Sequence, residues 1–159
     1  MKDVPDLKES QPAGARKKRK GKKEESTTAS VEKGTGQFTF SDNGTYEGEW
    51  VKGPGETIKR HGRGKWQRGQ MAYDGEWRDD VIQGRGTFKY PDGSSYDGEW
   101  LAGKYEGIGT YRFANGTRYE GEFHENKMSG KGVFTDSRGE SWAGTFFNNT
   151  GPGLTIPDD

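Results

Sequence analysis

Pairs of acidic side chains recur two residues apart along the chain, and such pairs could act as a general acid and a general base. Asp74 and Glu76 form one pair, and Asp97 and Glu99 form another. Catalytic carboxylates normally meet in one cleft, where different surroundings push their pKa values apart. Near-copies repeated along a chain indicate solvent-facing strand positions instead. The sequence therefore predicts that these acids are not catalytic.

Two other patterns with possible chemistry also lack the context that they need. The glycine words that begin at Gly84 and Gly107 would cradle a phosphate only before a helix N-terminus, and no helical pattern follows them. His61 and His124 lack the spacing of metal ligands, and the chain has no cysteine for a disulfide or a thiolate site. We expect no catalytic residue, no metal, no cofactor and no small-molecule substrate.

The acidic pairs belong to an internal repeat. The repeated word occurs as YEGEW at 46–50, YDGEW at 73–77, YDGEW at 96–100, YEGEF at 119–123 and WAGTF at 142–146. Its last aromatic residues are 27, 23, 23 and 23 positions apart, which places a loop insertion at 51–61. A second glycine-rich word, such as GRGTFKY from Gly84, lies between successive copies. Each repeat therefore predicts a pair of strands.

The alternation within these words gives each strand two different faces. Tyr96, Gly98 and Trp100 fall on one face of a strand, while Asp97 and Glu99 fall on the other. A glycine inside a strand leaves room for a ring from the neighbouring strand. The sequence therefore predicts a face of aromatic rings seated over glycines and an opposite, charged face.

Short turn signals connect the predicted strands. Tight hairpins favour Asn-Gly and Asp-Gly because such turns require a positive φ. The turn pairs are Asn43-Gly44, Asp92-Gly93, Asn115-Gly116 and Arg138-Gly139. We predict an all-β fold, an elongated single antiparallel β-meander of five hairpin repeats, with about ten strands spanning on the order of 45 Å.

The charge divides the chain into three parts. Residues 1–33 hold 10 basic and 6 acidic side chains without periodicity, which predicts a disordered basic tail. The repeat array covers 34–147, where the charge balance is acidic. Residues 148–159 form a C-terminal cap or tail, in which Leu154 and Ile156 could cover the end of the sheet. No apolar run suits a signal peptide or membrane span, so we expect a cytoplasmic protein.

The combination of YEGEW or YDGEW, a polar link, GxGxYxF and then DG or NG resembles the MORN repeat family. The resemblance covers five units, and the last unit departs from it at Trp142, Ala143 and Thr145. The C-terminal half is similar to small animal members that consist almost entirely of repeats. The resemblance implies a protein-binding scaffold rather than an enzyme, located in a cilium, a flagellar axoneme or the cytoskeleton.

The aromatic face is the strongest functional candidate, because an exposed apolar surface usually marks an interaction site. We expect it to bind an amphipathic helix of a cytoskeletal or motor protein, or another ribbon of the same kind, with homo-oligomers as one outcome. Nearby acids would contact a basic partner. The predicted lining consists of Tyr73, Trp77, Tyr96, Trp100, Tyr119 and Phe123.

A dense basic run in the N-terminal part offers an alternative function. It comprises Arg16, Lys17, Lys18, Arg19, Lys20, Lys22 and Lys23. Such a run can attract anionic phospholipid and so tether the protein to a membrane. It is also compatible with nuclear import, with binding to nucleic acid or tubulin, and with a role in solubility alone. The sequence leaves these alternatives open.

Overall fold

The computed structural model describes residues 1–7 and 31–157, and within them it contains one antiparallel sheet of ten strands in chain order. The strands are β1 Lys33–Thr39, β2 Thr45–Lys52, β3 Ile58–Arg68, β4 Met71–Arg78, β5 Val81–Lys89, β6 Ser95–Leu101, β7 Lys104–Arg112, β8 Arg118–His124, β9 Lys127–Thr135 and β10 Ser141–Phe146. One 3₁₀ turn, Pro54–Glu56, lies within the predicted insertion 51–61, whose other residues largely lengthen β2 and β3. The predicted all-β meander is confirmed.

A continuous row of glycines crosses all ten strands. Its members pair directly with one another: Gly36, Gly48, Gly64, Gly75, Gly86, Gly98, Gly109, Gly121, Gly132 and Gly144. The backbones approach so closely that a Cβ added to Gly98 would lie 2.5 Å from the Cα of Gly109. The row, hereafter the glycine row, therefore cannot accept side chains on its aromatic side.

Tyrosine rings cover the glycine row, as the sequence predicted. The hydroxyl of Tyr73 donates to the carbonyl of Glu76 at 3.0 Å, and that of Tyr96 donates to Glu99 at 2.8 Å. Tyr46 and Tyr119 make the same bond three residues ahead. Each ring is thus held flat along its own strand by a bond to its own backbone.

The strands bend towards the aromatic face at the glycine row. Tyr105 pairs with Trp100, whereas Tyr90 lies two residues beyond Phe88, the partner of Tyr96. Tyr90 and Tyr105 are therefore about six residue positions apart along the strand direction, which is about 20 Å in a flat sheet. The hydroxyls of Tyr90 and Tyr105 are nevertheless in contact. The aromatic face is therefore concave, and its rings fill the bend.

Two kinds of turn alternate along the sheet. The predicted turns contain one residue of positive φ, for example Gly93 at 87°. The turns between successive repeats were not predicted, and they have positive φ at two adjacent positions, as at Asp79 and Asp80, with φ of 49° and 69°. This pattern is typical of the type I′ hairpin.

The second residue of these inter-repeat turns binds the preceding repeat. The side chain of Asp80 accepts a bond from the backbone N–H of Arg60 at 2.9 Å. Asn126 binds Tyr105 in the same way at 2.8 Å, and Asn149 binds the N–H of Met128 at 2.9 Å. These bonds fasten consecutive repeats together.

The two ends of the described chain contact the sheet differently from the predictions. Residues 1–7 lie against the aromatic face, where Met1, Val4 and Leu7 pack on the buried rings. Residues 8–30 of the predicted basic tail lie outside the described residues. At the other end Leu154 packs against the core, whereas Ile156 is 74% exposed and does not form part of a cap.

Candidate interaction surface

The six predicted lining residues form the core of the sheet rather than an exposed groove. Tyr96 and Tyr119 are 0% exposed, Tyr73 is 1% exposed, and Trp77, Trp100 and Phe123 are each 3% exposed. The expectation of an exposed aromatic surface at these positions is therefore corrected. The bend of the strands brings the rings together, so that they bury one another. Their role in binding a partner remains a prediction.

The buried rings form one connected cluster along the sheet. Trp100 meets Tyr96 and Tyr73 edge-on, at centroid distances of 5.0 and 5.5 Å. Tyr119 likewise meets Phe123 edge-on at 5.1 Å. Edge-to-face contacts suit the charge distribution of aromatic rings. The indole N–H of Trp100 also donates to the carbonyl of Gly86 at 2.9 Å, so the predicted residues stabilise the fold.

The two acids of each repeated word have different structural roles. The second acid binds a backbone N–H in a bulge of the next strand: Glu49 accepts from Arg63 at 2.6 Å, and Glu122 accepts from Lys131 at 3.1 Å. The first acid, such as Asp97 or Glu120, is exposed on the opposite, charged face. The predicted contact of both acids with a basic partner is thus available mainly to the first one.

A positive-φ glycine creates the space for each second acid. Gly84 has a φ of 78°, and a Cβ there would lie 2.8 Å from the carboxyl carbon of Glu76. Gly130 has a φ of 90° and the same relation to Glu122. The divergent Thr145 belongs to β10, and the described residues after β10 form no further strand with a bulge to bind. This explains why the first four repeated words have an acid at their fourth position and the fifth word does not.

One buried cation lies on the aromatic face. Arg60 is 3% exposed, its Nε donates to Asp80 at 3.0 Å, and its guanidinium lies 4.4 Å from the centre of the Trp77 ring. Both contacts compensate for the burial of its charge. Its Nη2 donates to the carbonyl of Leu7, whereas the buried Nη1 has no hydrogen-bond partner within residues 1–7 and 31–157.

Burial and neighbouring groups shift the pKa values of several side chains, both at the surface and in the core. Burial raises the pKa of Tyr119 to about 12, and it raises the pKa of Tyr96 still further. The hydrogen bond between Nδ1 of His124 and Glu106, at 2.8 Å, raises the pKa of His124. The buried tyrosines therefore stay protonated at neutral pH.

The charged face carries a mixed ladder of side chains. Lys65 pairs with Asp74 at 3.5 Å, and Arg85 pairs with Glu99 at 3.0 Å. The hydroxyl of Thr87 donates to Asp97 at 3.0 Å. Both signs of charge alternate here, so this face presents no strong electrostatic preference.

Three features of this surface were not predicted from the sequence: the seat of residues 1–7, the buried Arg60 and the turn residues that fasten the repeats. The turn residues carry a usable signal, because Asp80, Asn126 and Asn149 follow the 23-residue spacing of the repeat. Residues 1–7 carry a weaker one, since Met1, Val4 and Leu7 are three positions apart. Arg60 stands two residues before the glycine word of its repeat, as Ile82, Tyr105 and Met128 do, but the arginine itself gives no sign of burial.

The described part of the chain contains neither a membrane-spanning helix nor a cluster of metal ligands. Within 1–7 and 31–157 no helix combines the length and the apolar character needed to cross a membrane. The same residues contain no group of three His, Asp or Glu side chains arranged to hold a metal ion. The seven basic residues of the alternative site, Arg16 to Lys23, lie outside the described residues.

Comparison with known families agrees with the repeat geometry. The MORN repeat profile matches residues 46–54, 73–95, 96–118 and 119–141. No curated protein matched the chain. Each of the three 23-residue matches begins at the tyrosine of a repeated word. Each therefore contains that tyrosine, two members of the glycine row and the second acid described above. Together these matches support the assignment of the chain to the MORN repeat family.

Proposed function

We propose that the protein is a non-enzymatic interaction scaffold that binds a protein segment along its aromatic face. The observation that carries this proposal is the single layer of the sheet. Its rings form a connected cluster from Phe38 to Phe146, yet the described residues supply no second sheet or helix to cover that cluster. Domains normally bury an apolar face against a second layer.

Because the rings themselves are buried, we place the proposed contact at the rim of the concave face. Partly exposed aromatics lie along that rim, among them Phe113 and Phe134, whose centroids are 6.3 Å apart. A partner segment would contact these partly exposed side chains. The partner is a helical or extended segment of another protein, or a second ribbon.

The proposed setting is a ciliary, flagellar or cytoskeletal assembly, and the partner is a structural or motor protein of that assembly. This setting follows from the resemblance to small MORN repeat proteins. Repeated strand pairs present many equivalent contacts along one direction, which suits attachment to an elongated assembly.

A quantitative pull-down from ciliated-cell extract tests the proposal. The bait is the full chain, compared with a Phe113→Ser, Phe134→Ser variant of the rim. The matched control is Lys65→Ser, Asp74→Ser on the charged face. We expect axonemal or motor proteins on the wild type and on the control, with at least a fivefold loss on the folded rim variant. Equal recovery by all three proteins would contradict binding through the aromatic face.

A membrane-associated tether is the second candidate, because seven of the eight residues from Arg16 to Lys23 are basic. Each basic residue near an anionic leaflet contributes about 1 kcal/mol. Sedimentation with phosphatidylserine vesicles tests it, using the full chain and a variant with those seven residues changed to Gln. Salt-sensitive binding that this variant loses would support the tether, and undiminished binding by the variant would exclude the basic run.

A further inference from the structure

Residues 1–7, hereafter the N-terminal segment, occupy the concave aromatic face without forming a helix or a strand of their own. Met1, Val4 and Leu7 are partly buried against the rings, whereas Lys2, Asp3 and Asp6 are exposed. An apolar side chain at every third position lies on one side of a polyproline II chain, which has three residues per turn. The pattern of this segment therefore matches an extended peptide seated on one apolar surface.

The sheet binds the main chain of the segment at both of its ends. The hydroxyl of Tyr105 donates to the carbonyl of Lys2 at 3.2 Å. About five residues further on, Nη2 of Arg60 donates to the carbonyl of Leu7. Bonds to backbone carbonyls can be made by any extended peptide. These two donors therefore fix the position of a peptide main chain without selecting its side chains.

Side-chain contacts add a preference at the start of the segment. The ammonium of Lys2 lies 2.7 Å from Asp92, and this contact lowers the pKa of the Asp92 carboxyl. Asn126 donates to Asp3 at 3.4 Å. Asp92 and Asn126 belong to turns at opposite ends of the strands. The segment is thus held between the two rims of the concave face.

The seat retains a donor that the segment does not use. Among the described residues, the buried Nη1 of Arg60 has no hydrogen-bond partner, although the same guanidinium binds Asp80 and Leu7. Burial of a polar group without a partner is unfavourable. A peptide that supplied an acceptor beside its third apolar residue would remove that cost. Residues 1–7 themselves therefore leave this donor unused.

From these contacts we infer that the seat of residues 1–7 is a peptide-binding site, and that its partner is an extended segment with apolar side chains at every third residue, which displaces the N-terminal segment. This inference rests on the scaffold role proposed above and names the class of partner. The N-terminal segment is covalently attached, so it competes at a high effective concentration. It consequently sets a threshold affinity that a partner peptide must exceed.

Fluorescence anisotropy with a labelled peptide of sequence MKDVPDL tests the inference on the full chain. The double substitution Val4→Asp, Leu7→Asp releases the attached segment without changing the sheet. We expect this variant to bind the labelled peptide at least tenfold more tightly than the wild type does. A peptide carrying the same two substitutions should bind neither protein. Absence of binding to a folded variant, or equal binding to variant and wild type, would overturn the inference.

A second substitution locates the bound peptide. Asp92→Asn removes the partner of Lys2 but keeps the turn, since Asn115 makes the same backbone bond at 3.1 Å in the next repeat. In the released background it should weaken peptide binding about two- to fivefold, as expected for a surface ion pair. A peptide with Lys2→Gln should lose the same factor, with no further loss in combination. Unchanged affinity would place the peptide elsewhere and overturn the assigned seat.

The two proposals fail in distinguishable ways. Loss of peptide binding with intact capture of cytoskeletal proteins removes this inference and leaves the scaffold role. Peptide binding without any protein captured from the extract removes the scaffold role as proposed and leaves the seat as an intramolecular one. Stronger capture by the released variant than by the wild type would support both.

Discussion

The hydroxyl of Tyr96 bonds to the carbonyl of Glu99 on its own strand, while the ring of Tyr96 lies over Gly109 on the neighbouring strand. The first contact is 2.8 Å long. A Cβ on Gly109 would stand 2.6 Å from Cζ of that ring, which is too close for any real contact. One tyrosine therefore requires both a backbone acceptor three residues ahead and a glycine opposite. This explains why the tyrosine, the glycines and the spacing of the word recur together.

Substitution of a glycine in the glycine row should destabilise the sheet. Gly109→Ala forces the ring of Tyr96 to move, and overpacking of this kind costs about 1–3 kcal/mol. Arg112→Ala on the exposed side of the same strand is the matched control and should change stability by less than about 0.5 kcal/mol. Urea denaturation followed by tryptophan fluorescence measures both. Equal stabilities of the two variants would contradict the role of the row.

The two acids of one word should differ in their contribution to stability. Glu122→Ala leaves the N–H of Lys131 without its acceptor, at a cost of about 0.5–1.5 kcal/mol. Glu120→Ala removes only an exposed ion pair with Arg118, which contributes about 0–1 kcal/mol. Glu122→Gln keeps an acceptor and should recover most of the loss. A larger loss for Glu120→Ala than for Glu122→Ala would reverse the assignment of roles.

The sequence predicts the pairing of strands well because the repeat carries that information locally. Alternation assigns Tyr96 and Trp100 to one face and Asp97 to the other, and the structure confirms this division. Alternation says nothing of the bend at the glycine row, which depends on how ten strands pack together. For that reason the rings predicted as an exposed lining are buried. The curvature of the sheet, rather than the faces of its strands, was beyond local reasoning.

Contacts between distant parts of the chain were also beyond the sequence. Leu7 and Arg60 meet across more than fifty residues, and Leu7 lies outside the repeats. Low hydropathy and high charge favoured disorder throughout residues 1–33. Three apolar side chains at regular spacing suffice to seat a short extended segment on a preformed surface, although they could not form a core themselves.

The ion pair between Arg60 and Asp80 offers a separate test of the bond between repeats. Asp80→Asn should keep the turn, because Asn126 and Asn149 make the same backbone bond in later repeats. It removes the charge that compensates the buried guanidinium. Loss of one partner of a fully buried pair costs about 3–5 kcal/mol. Asp80 is 26% exposed, so we expect a smaller loss of about 1–3 kcal/mol.

Urea denaturation of Asp80→Asn, with Asn149→Asp as the matched control, separates charge from turn geometry. Asn149→Asp also keeps the turn acceptor and disrupts no buried cation. It should therefore change stability less than Asp80→Asn does. If the two variants lose the same stability, the turn rather than the ion pair is responsible.

The contact between His124 and Glu106 predicts a pH dependence near neutrality. The hydrogen bond to Glu106 raises the pKa of His124 in the folded protein above its ordinary value of about 6.5. A raised pKa means that the folded state binds the proton more tightly than the unfolded state. The resulting stabilisation is fully present below about pH 6.5 and is lost as the pH rises through the folded-state pKa.

An NMR titration of the His124 ring measures this shift directly, and Glu106→Gln is the decisive variant. The neutral amide keeps a hydrogen-bond acceptor but removes the charge that favours imidazolium. We expect the pKa of His124 to fall towards 6.5 in this variant. Glu125 and Lys104 also lie near the ring, with opposite effects, so Glu125→Gln should lower the pKa less than Glu106→Gln does. A titration unchanged by Glu106→Gln would show that the 2.8 Å contact does not persist in solution.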